Sequence, residues 1–228
     1  MIHRNVTLKE NLYWSFHPSE SYAALSYDLD HLSGLMTDNS PLGAISDWKG
    51  AIVSGVSAYL GRIPHQRCLT HVVRQAERLL PQRSPFEATL RLRYIAKQLP
   101  KVTSEKDKQV WLALLIRWEK HYGYMLKEKT IGVGTKKKWW YTHGNLRRGW
   151  RLLTYNWDPF FIHLDKPMIP KSNNSLEGVI SQASNKLSNH RGMKTNQQVS
   201  FLCWYFTFTR VKSKQNLKKL WDYWKTIV

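Results

Sequence analysis

The stretch Leu42-Gly43-Ala44-Ile45-Ser46-Asp47-Trp48-Lys49-Gly50 decides the fold class. Leu42 to Ser46 reads as a short buried strand that stops at Asp47. Beyond it, Ile52, Val56 and Leu60 recur on one side of a helix that Gly61 closes. Strand, acidic residue and helix in succession predict an α/β domain, in which ligand and metal sites gather at the carboxyl ends of strands. After Pro64, the segment His65-Gln66-Arg67-Cys68 leads into a helical run through Val72, Val73, Ala76 and Leu80. That segment is expected to be a neighbouring strand of the same sheet.

Working outward, Met1 to Thr7 and Asn11 to Phe16 predict a hairpin joined at Leu8-Lys9-Glu10. Ser19 is placed to cap a helix carrying Tyr22, Leu25, Leu29 and Leu32 and ending near Gly34. From Pro85 to about Phe161 the strand signals stop, which predicts an all-helical insertion. Its clearest helix starts at Ser104, with Asp107 three residues on, and carries Val110, Trp111, Leu114, Leu115 and Trp118 as a core-facing stripe. Gly132 to Thr135 reads as a flexible link, and the run from Lys136 to Tyr141 then enters a helix through Asn145 to Leu152. Three helices follow, around Ser175–Leu187, 197–210 and 217–227. The expected domains are 1–84 and 166–228 as two parts of one core, with 85–165 as the insertion between them.

The 228 residues and 26.9 kDa fit one domain with a large insertion. Lys and Arg number 35 against 16 Asp and Glu, a net charge of +19, which points to a polyanionic partner. A hydrophobic share of 42% is enough for a core and excludes a disordered basic tail. Two cysteines, Cys68 and Cys203, build no disulfide framework. With no apolar run long enough to span a bilayer and no apolar leader after Met1, the expectation is a soluble, intracellular protein with no membrane partner.

Four side chains carry candidate chemistry. Asp47 sits at a strand end, although an aspartate there also caps the next helix. Glu177 belongs to Asn174-x-x-Glu177, the spacing of a capping box, with Asn174 as the cap. Cys68-x-x-His71 offers two metal ligands, but a structural zinc site needs four and no second pair is suitably spaced, which leaves a buried thiol beside a hydrogen-bonded histidine as the plainer reading. The stretch from Lys136 to Arg151 alternates cations with aromatics, which suits phosphate neutralisation and stacking.

Taken together and in order, Ile45-Ser46-Asp47-Trp48-Lys49-Gly50, Gln66-Arg67-Cys68-Leu69-Thr70-His71, Asn173-Asn174-Ser175-Leu176-Glu177-Gly178 and Asn189-His190-Arg191-Gly192 resemble the catalytic half of prokaryotic insertion-sequence DDE transposases related to the Mutator-like group. The resemblance covers about Tyr13 to about Trp204. It implies a ribonuclease-H-like core interrupted by a helical insertion before the glutamate. It further implies Asp47 and Glu177 as the second and third acids of the triad and as metal ligands, with Cys68 and His71 as the family's C-x-x-H element beside the active site. Two Mg²⁺ (or Mn²⁺) ions are expected between such carboxylates, activating water or a 3′-hydroxyl for attack on a phosphodiester. DNA, as transposon ends and target, is the expected partner, contacted by Lys136, Lys137, Lys138, Arg147, Arg148, Arg151, His190 and Arg191. A homo-oligomer on DNA, in the nucleoid of a prokaryotic cytoplasm, completes the expectation.

The chain departs from the family at its start. The family's first Asp lies on the first strand, and this sequence opens at or within the second, which predicts an N-terminally truncated core that lacks that strand and does not cleave DNA alone. The competing expectations are a basic chain that holds DNA or a full-length transposase without cutting, and an inert remnant. Asp47 and Glu177 are expected to face each other across a cleft.

Overall fold

The structure, a computed structural model, describes residues 1–36, 40–133 and 138–227. It opens with β1 (Ile2–Asn5), β2 (Glu10–Trp14), α1 (Tyr22–Leu35), β3 (Ala44–Ser46), α2 (Gly50–Leu60), β4 (His65–Arg67) and α3 (Leu69–Leu79). There follow α4 (Glu87–Gln98), α5 (Glu105–Tyr122), β5 (Lys129–Ile131), β6 (Trp139–Tyr141), α6 (Gly144–Thr154) and α7 (Ile162–Asp165). The chain closes with α8 (Asn174–Ser188), α9 (Thr195–Thr209) and α10 (Lys214–Ile227). The fold is mixed α/β and 61% helical, so helix packing rather than a large sheet supplies the core. Strands pair only two by two among the described residues: β1 with β2 antiparallel, β3 with β4 parallel, β5 with β6 antiparallel. No helix among them is long and apolar enough to cross a membrane.

Two compact units divide the chain. Unit 1 comprises Met1–Ser40, Ala51–Gly61 and Asn174–Val228, and unit 2 comprises Pro41–Gly50 and Arg62–Asn173. Residues 85–165 lie wholly within unit 2.

In unit 1 the hairpin forms where it is expected, and Leu25, Leu29 and Leu32 of α1 pack against Leu12, Tyr13, Ile52 and Leu60. The cap of α1 is Ser21 rather than Ser19: Ser21 Oγ accepts from Ala24 N at 3.2 Å, while Ser19 lies outside the first turn. Beneath the hairpin, Asp28 is fully buried and accepts from Ser15 Oγ at 2.6 Å, with His3 Nε2 and His17 Nε2 each 2.9 Å from one of its oxygens. Burial pushes this carboxyl up, but the bonds from Ser15, His17 and His3 outweigh it and hold it below the ordinary carboxylate range. Asn174 is the first residue of α8 rather than its cap.

Unit 2 holds the larger core: Leu69, Val72, Ala76 and Leu80 from α3, Leu92 and Ile95 from α4, Trp111, Leu115 and Trp118 from α5, Leu146 and Leu153 from α6, and Phe160 and Phe161. Ser104 caps α5 as its spacing predicts, accepting from Asp107 N at 3.1 Å. The core tryptophans satisfy their indole N–H groups on backbone, Trp111 donating to Ile95 O at 2.9 Å and Trp118 to Ala88 O at 2.8 Å.

The expectation of an all-helical insertion is corrected by β5 and β6. Thr130 and Ile131, then Trp139, Trp140 and Tyr141, are β-branched and aromatic residues that favour a pleated surface. They pair Lys129 with Tyr141, Thr130 with Trp140 and Ile131 with Trp139, so the aromatic run leads into α6 as a strand.

Candidate functional site

Asp47 follows β3 directly, and β3 runs parallel to β4 with Ala44 opposite His65, Ile45 opposite Gln66 and Ser46 opposite Arg67. Cys68 N donates to Ser46 O at 2.8 Å, carrying the ladder one step further to the residue beside Asp47. Two constraints hold this short pair in place. Gln66, fully buried, donates from Nε2 to Phe160 O at 3.0 Å and accepts from His163 N at 2.9 Å, tying β4 to the segment after α6. Gly43, just before β3, admits no side chain: a Cβ there would stand 2.2 Å from Ile169 Cδ1 and 2.9 Å from Pro64 O.

The carboxylate itself turns toward the chain that follows it. Asp47 Oδ1 accepts from Lys49 N at 3.3 Å, an Asx-type turn into α2, and Oδ2 lies 3.6 Å from Lys49 Nζ. Both distances are long for a charged acceptor, and the side chain is 23% exposed. Between them Trp48 has φ of 68°, a left-handed conformation that costs a bulky residue about 1–3 kcal/mol and persists only where neighbours impose it. The neighbours are Ser46 Oγ, which accepts from Trp48 N at 3.2 Å, and His65, whose ring centroid is 4.7 Å from the Trp48 ring. His65 Nε2 is in turn 2.8 Å from Ser46 Oγ, and burial pushes His65 down to about 4, so it is neutral at physiological pH.

Arg67 completes the surroundings of Asp47. Burial lowers its affinity for its proton and the Asp47 charge opposes that loss. Its guanidinium lies 5.3 Å from the Phe160 ring centroid, and Nε is buried with no hydrogen-bond partner among the described residues. Sequence reasoning quoted Arg67 within a motif but gave it no role; the signal was a cation on a strand directly before Cys68.

Cys68 is fully buried at the entry to α3, and its Sγ accepts from Asn173 N at 3.2 Å while Leu69 N donates to Lys171 O at 3.0 Å. The segment 171–173 therefore runs beside the start of α3. His71 lies in the first turn of that helix, half-buried. Glu177 lies in the first turn of α8, in unit 1, where Arg4 Nε donates to Ser175 Oγ at 2.8 Å and Arg4 Nη1 to Asn11 Oδ1 at 2.7 Å. Asp47, Cys68 and His71 belong to unit 2 and Glu177 to unit 1. For a divalent ion, Asp47 offers hard oxygen donors whose contacts among the described residues are long, which suit Mg²⁺ or Mn²⁺, whereas the buried Cys68 thiol is a soft donor that does not.

Of the cations expected to contact DNA, Lys138, Arg148 and Arg151 are exposed on unit 2, and His190 and Arg191 are exposed after α8 on unit 1. Arg147 is partly committed within the fold, donating to Leu126 O at 2.9 Å and lying 4.0 Å from the Tyr141 ring centroid. Lys136 and Lys137 lie outside the described residues. Comparison with known proteins yields no match: no family model, no curated protein and no solved structure aligns with this chain.

Proposed function

We propose that the chain is part of the catalytic domain of a DDE transposase of prokaryotic insertion sequences, built on a ribonuclease-H-like core, a family whose complete members cleave and join DNA strands as oligomers on DNA. The observation that carries this reading is Asp47, a solvent-touching carboxylate at the carboxyl end of a parallel strand, beside an arginine with an unpaired buried donor. Parallel strand ends of this kind are where α/β proteins place metal and phosphate ligands. The order hairpin, helix, parallel strand pair, and the net charge of +19, support it further.

In this reading Asp47 and Glu177 are metal carboxylates, and the bound Mg²⁺ or Mn²⁺ supplies charge neutralisation and an activated oxygen nucleophile. Arg67 receives a phosphate oxygen, Gln66 and Gly43 hold the strand end in register, and the exposed cations neutralise the DNA backbone. A chain that binds DNA without metal chemistry is the second reading, favoured by the cation-rich β5–β6 and α6 region alone.

The test is duplex DNA binding by the full chain from about 50 mM to about 200 mM salt, with and without Mn²⁺, for the native protein and Asp47→Asn. Steep salt dependence with an Mn²⁺ enhancement that Asp47→Asn removes is expected. Steep dependence with no metal effect selects the binding-only reading, and no DNA binding overturns both.

A further inference from the structure

Three non-glycine residues among those described have a left-handed backbone: Lys9 at φ 55°, Asn156 at φ 54° and Trp48 at φ 68°. Lys9 lies in the connection that turns β1 back onto β2, and asparagine is a residue type that enters this region readily. Trp48 has neither reason. It is bulky and belongs to no hairpin, and a residue held in this conformation costs stability that its surroundings must outweigh. Such outliers gather where a site requires one particular geometry.

Here that geometry is the direction of the Asp47 carboxylate. An extended backbone at position 48 would continue β3 and carry Lys49 away, whereas the left-handed residue turns the chain so that Lys49 N and Nζ both face Asp47. These contacts are long, 3.3 Å and 3.6 Å, so the carboxylate is aimed by the backbone more than by its partners. A closed circuit of three side chains holds that backbone. Trp48 N donates to Ser46 Oγ at 3.2 Å, Ser46 Oγ lies 2.8 Å from His65 Nε2, and the His65 and Trp48 ring centroids are 4.7 Å apart with the planes tilted by 48°. His65 is itself fixed in β4, opposite Ala44 of β3. The indole therefore reaches back along the strand pair and closes on a residue that the sheet holds still. All of these residues lie within unit 2.

We propose that Trp48 is a positioning residue for Asp47: its ring, seated on His65, holds the left-handed turn that points the carboxylate at a divalent cation. This rests on the reading of Asp47 as a metal carboxylate and adds the residue that orients it. Trp48 acts through Asp47 and not on the metal, lowering the stability of the turn while fixing the direction of a donor, as groups around the ligands of a metal do.

The experiment uses the full chain with duplex DNA and Mn²⁺, read by electron paramagnetic resonance and by urea denaturation, for native protein, Trp48→Phe, Trp48→Gly, Trp48→Ala and Asp47→Asn. Glycine enters the left-handed region without strain, so Trp48→Gly should be more stable than Trp48→Ala. Even so, Trp48→Gly should bind Mn²⁺ about tenfold more weakly than native and broaden the lines of the bound ion, because the turn loses the ring that fixes it. Trp48→Phe keeps a ring against His65 and should bind Mn²⁺ within about twofold of native. If Trp48→Gly binds Mn²⁺ as native does while Asp47→Asn is weakened, the proposal is overturned and the metal reading stands. Gly and Ala variants of equal stability, or a Phe variant that loses the ion as the Gly variant does, overturn it as well. A Gly variant that fails to fold makes the indole a packing residue and has the same consequence. Mn²⁺ bound by Asp47→Asn as tightly as by native sinks the metal reading and the proposal together.

Discussion

Asn173 donates its backbone N–H to the Cys68 thiol at 3.2 Å, across 105 positions of sequence. The bond joins the residue that follows β4 to the segment that leads out of unit 2, and with Leu69 N on Lys171 O it fixes both beside the end of β3. The C-x-x-H element thus has a structural task at its cysteine: the thiol is a buried acceptor that seats the chain entering α8.

Removing that acceptor strands a donor. Cys68→Ala should cost about 1–3 kcal/mol, from an unsatisfied Asn173 N–H and a small cavity, whereas Cys68→Ser keeps an acceptor and should cost less. Urea denaturation of the three proteins measures it, and an Ala variant as stable as native would show that the thiol accepts nothing of consequence.

Gly43 makes a sharper steric prediction. An added methyl meets the Pro64 carbonyl at 2.9 Å, a backbone atom that also accepts from Ala44 N at 2.8 Å. Gly43→Ala should therefore destabilise by about 1–3 kcal/mol, and adding Ile169→Ala, which removes only the flexible clash, should recover little of it. Full recovery in the double variant would locate the constraint in Ile169 instead.

The parts of this fold readable from sequence are those where local chemistry and tertiary packing agree. Ser104 caps α5 because its hydroxyl is one turn from Asp107 N, and the run ending at Ser46 forms a strand because its apolar residues are bounded by Gly43 and Asp47. The β5–β6 hairpin escaped because three-residue strands are shorter than any periodicity can register and the glycines and lysines between them resemble a linker. The signal was present in Trp139-Trp140-Tyr141, a poor start for a helix. Ser19 and Ser21 both offer a hydroxyl ahead of the apolar run, and it is Ser21 Oγ that meets an N–H of the first turn, at Ala24. Arg67 carried only a local signal, a cation on a strand directly before Cys68, since its place against the Phe160 ring, remote in the chain, is set by tertiary packing.

Stability should fall in mild acid because of His65. Its folded value near 4 lies below the ordinary 6.5, so the unfolded chain takes up the proton first and the stabilisation, complete above about pH 6.5, is lost as pH falls toward 4. With solvent screening the effect is up to about 2 kcal/mol. His3 and His163 are lowered by burial as well and act in the same direction. His65→Gln should flatten the decline in Tm between about pH 7 and about pH 5, and an unchanged profile would remove His65 from the account.

The exposed cations on unit 2 should report as phosphate contacts. Replacing Lys138, Arg148 and Arg151 together by Ala should lower the slope of log affinity against log salt by about 0.9 per lost contact. Arg147→Ala should also destabilise the fold, because it removes a bond to Leu126 O. A triple variant with the native slope would make these residues ordinary solvated surface.

The central claim is that Asp47 is a metal carboxylate, and Mn²⁺ binding followed by electron paramagnetic resonance tests it most directly. The full chain with duplex DNA should take up Mn²⁺, and Asp47→Asn, which keeps the turn to Lys49 N but loses the charge, should weaken that uptake about tenfold or more. Mn²⁺ bound equally by both proteins, with the fold of each intact, would contradict it.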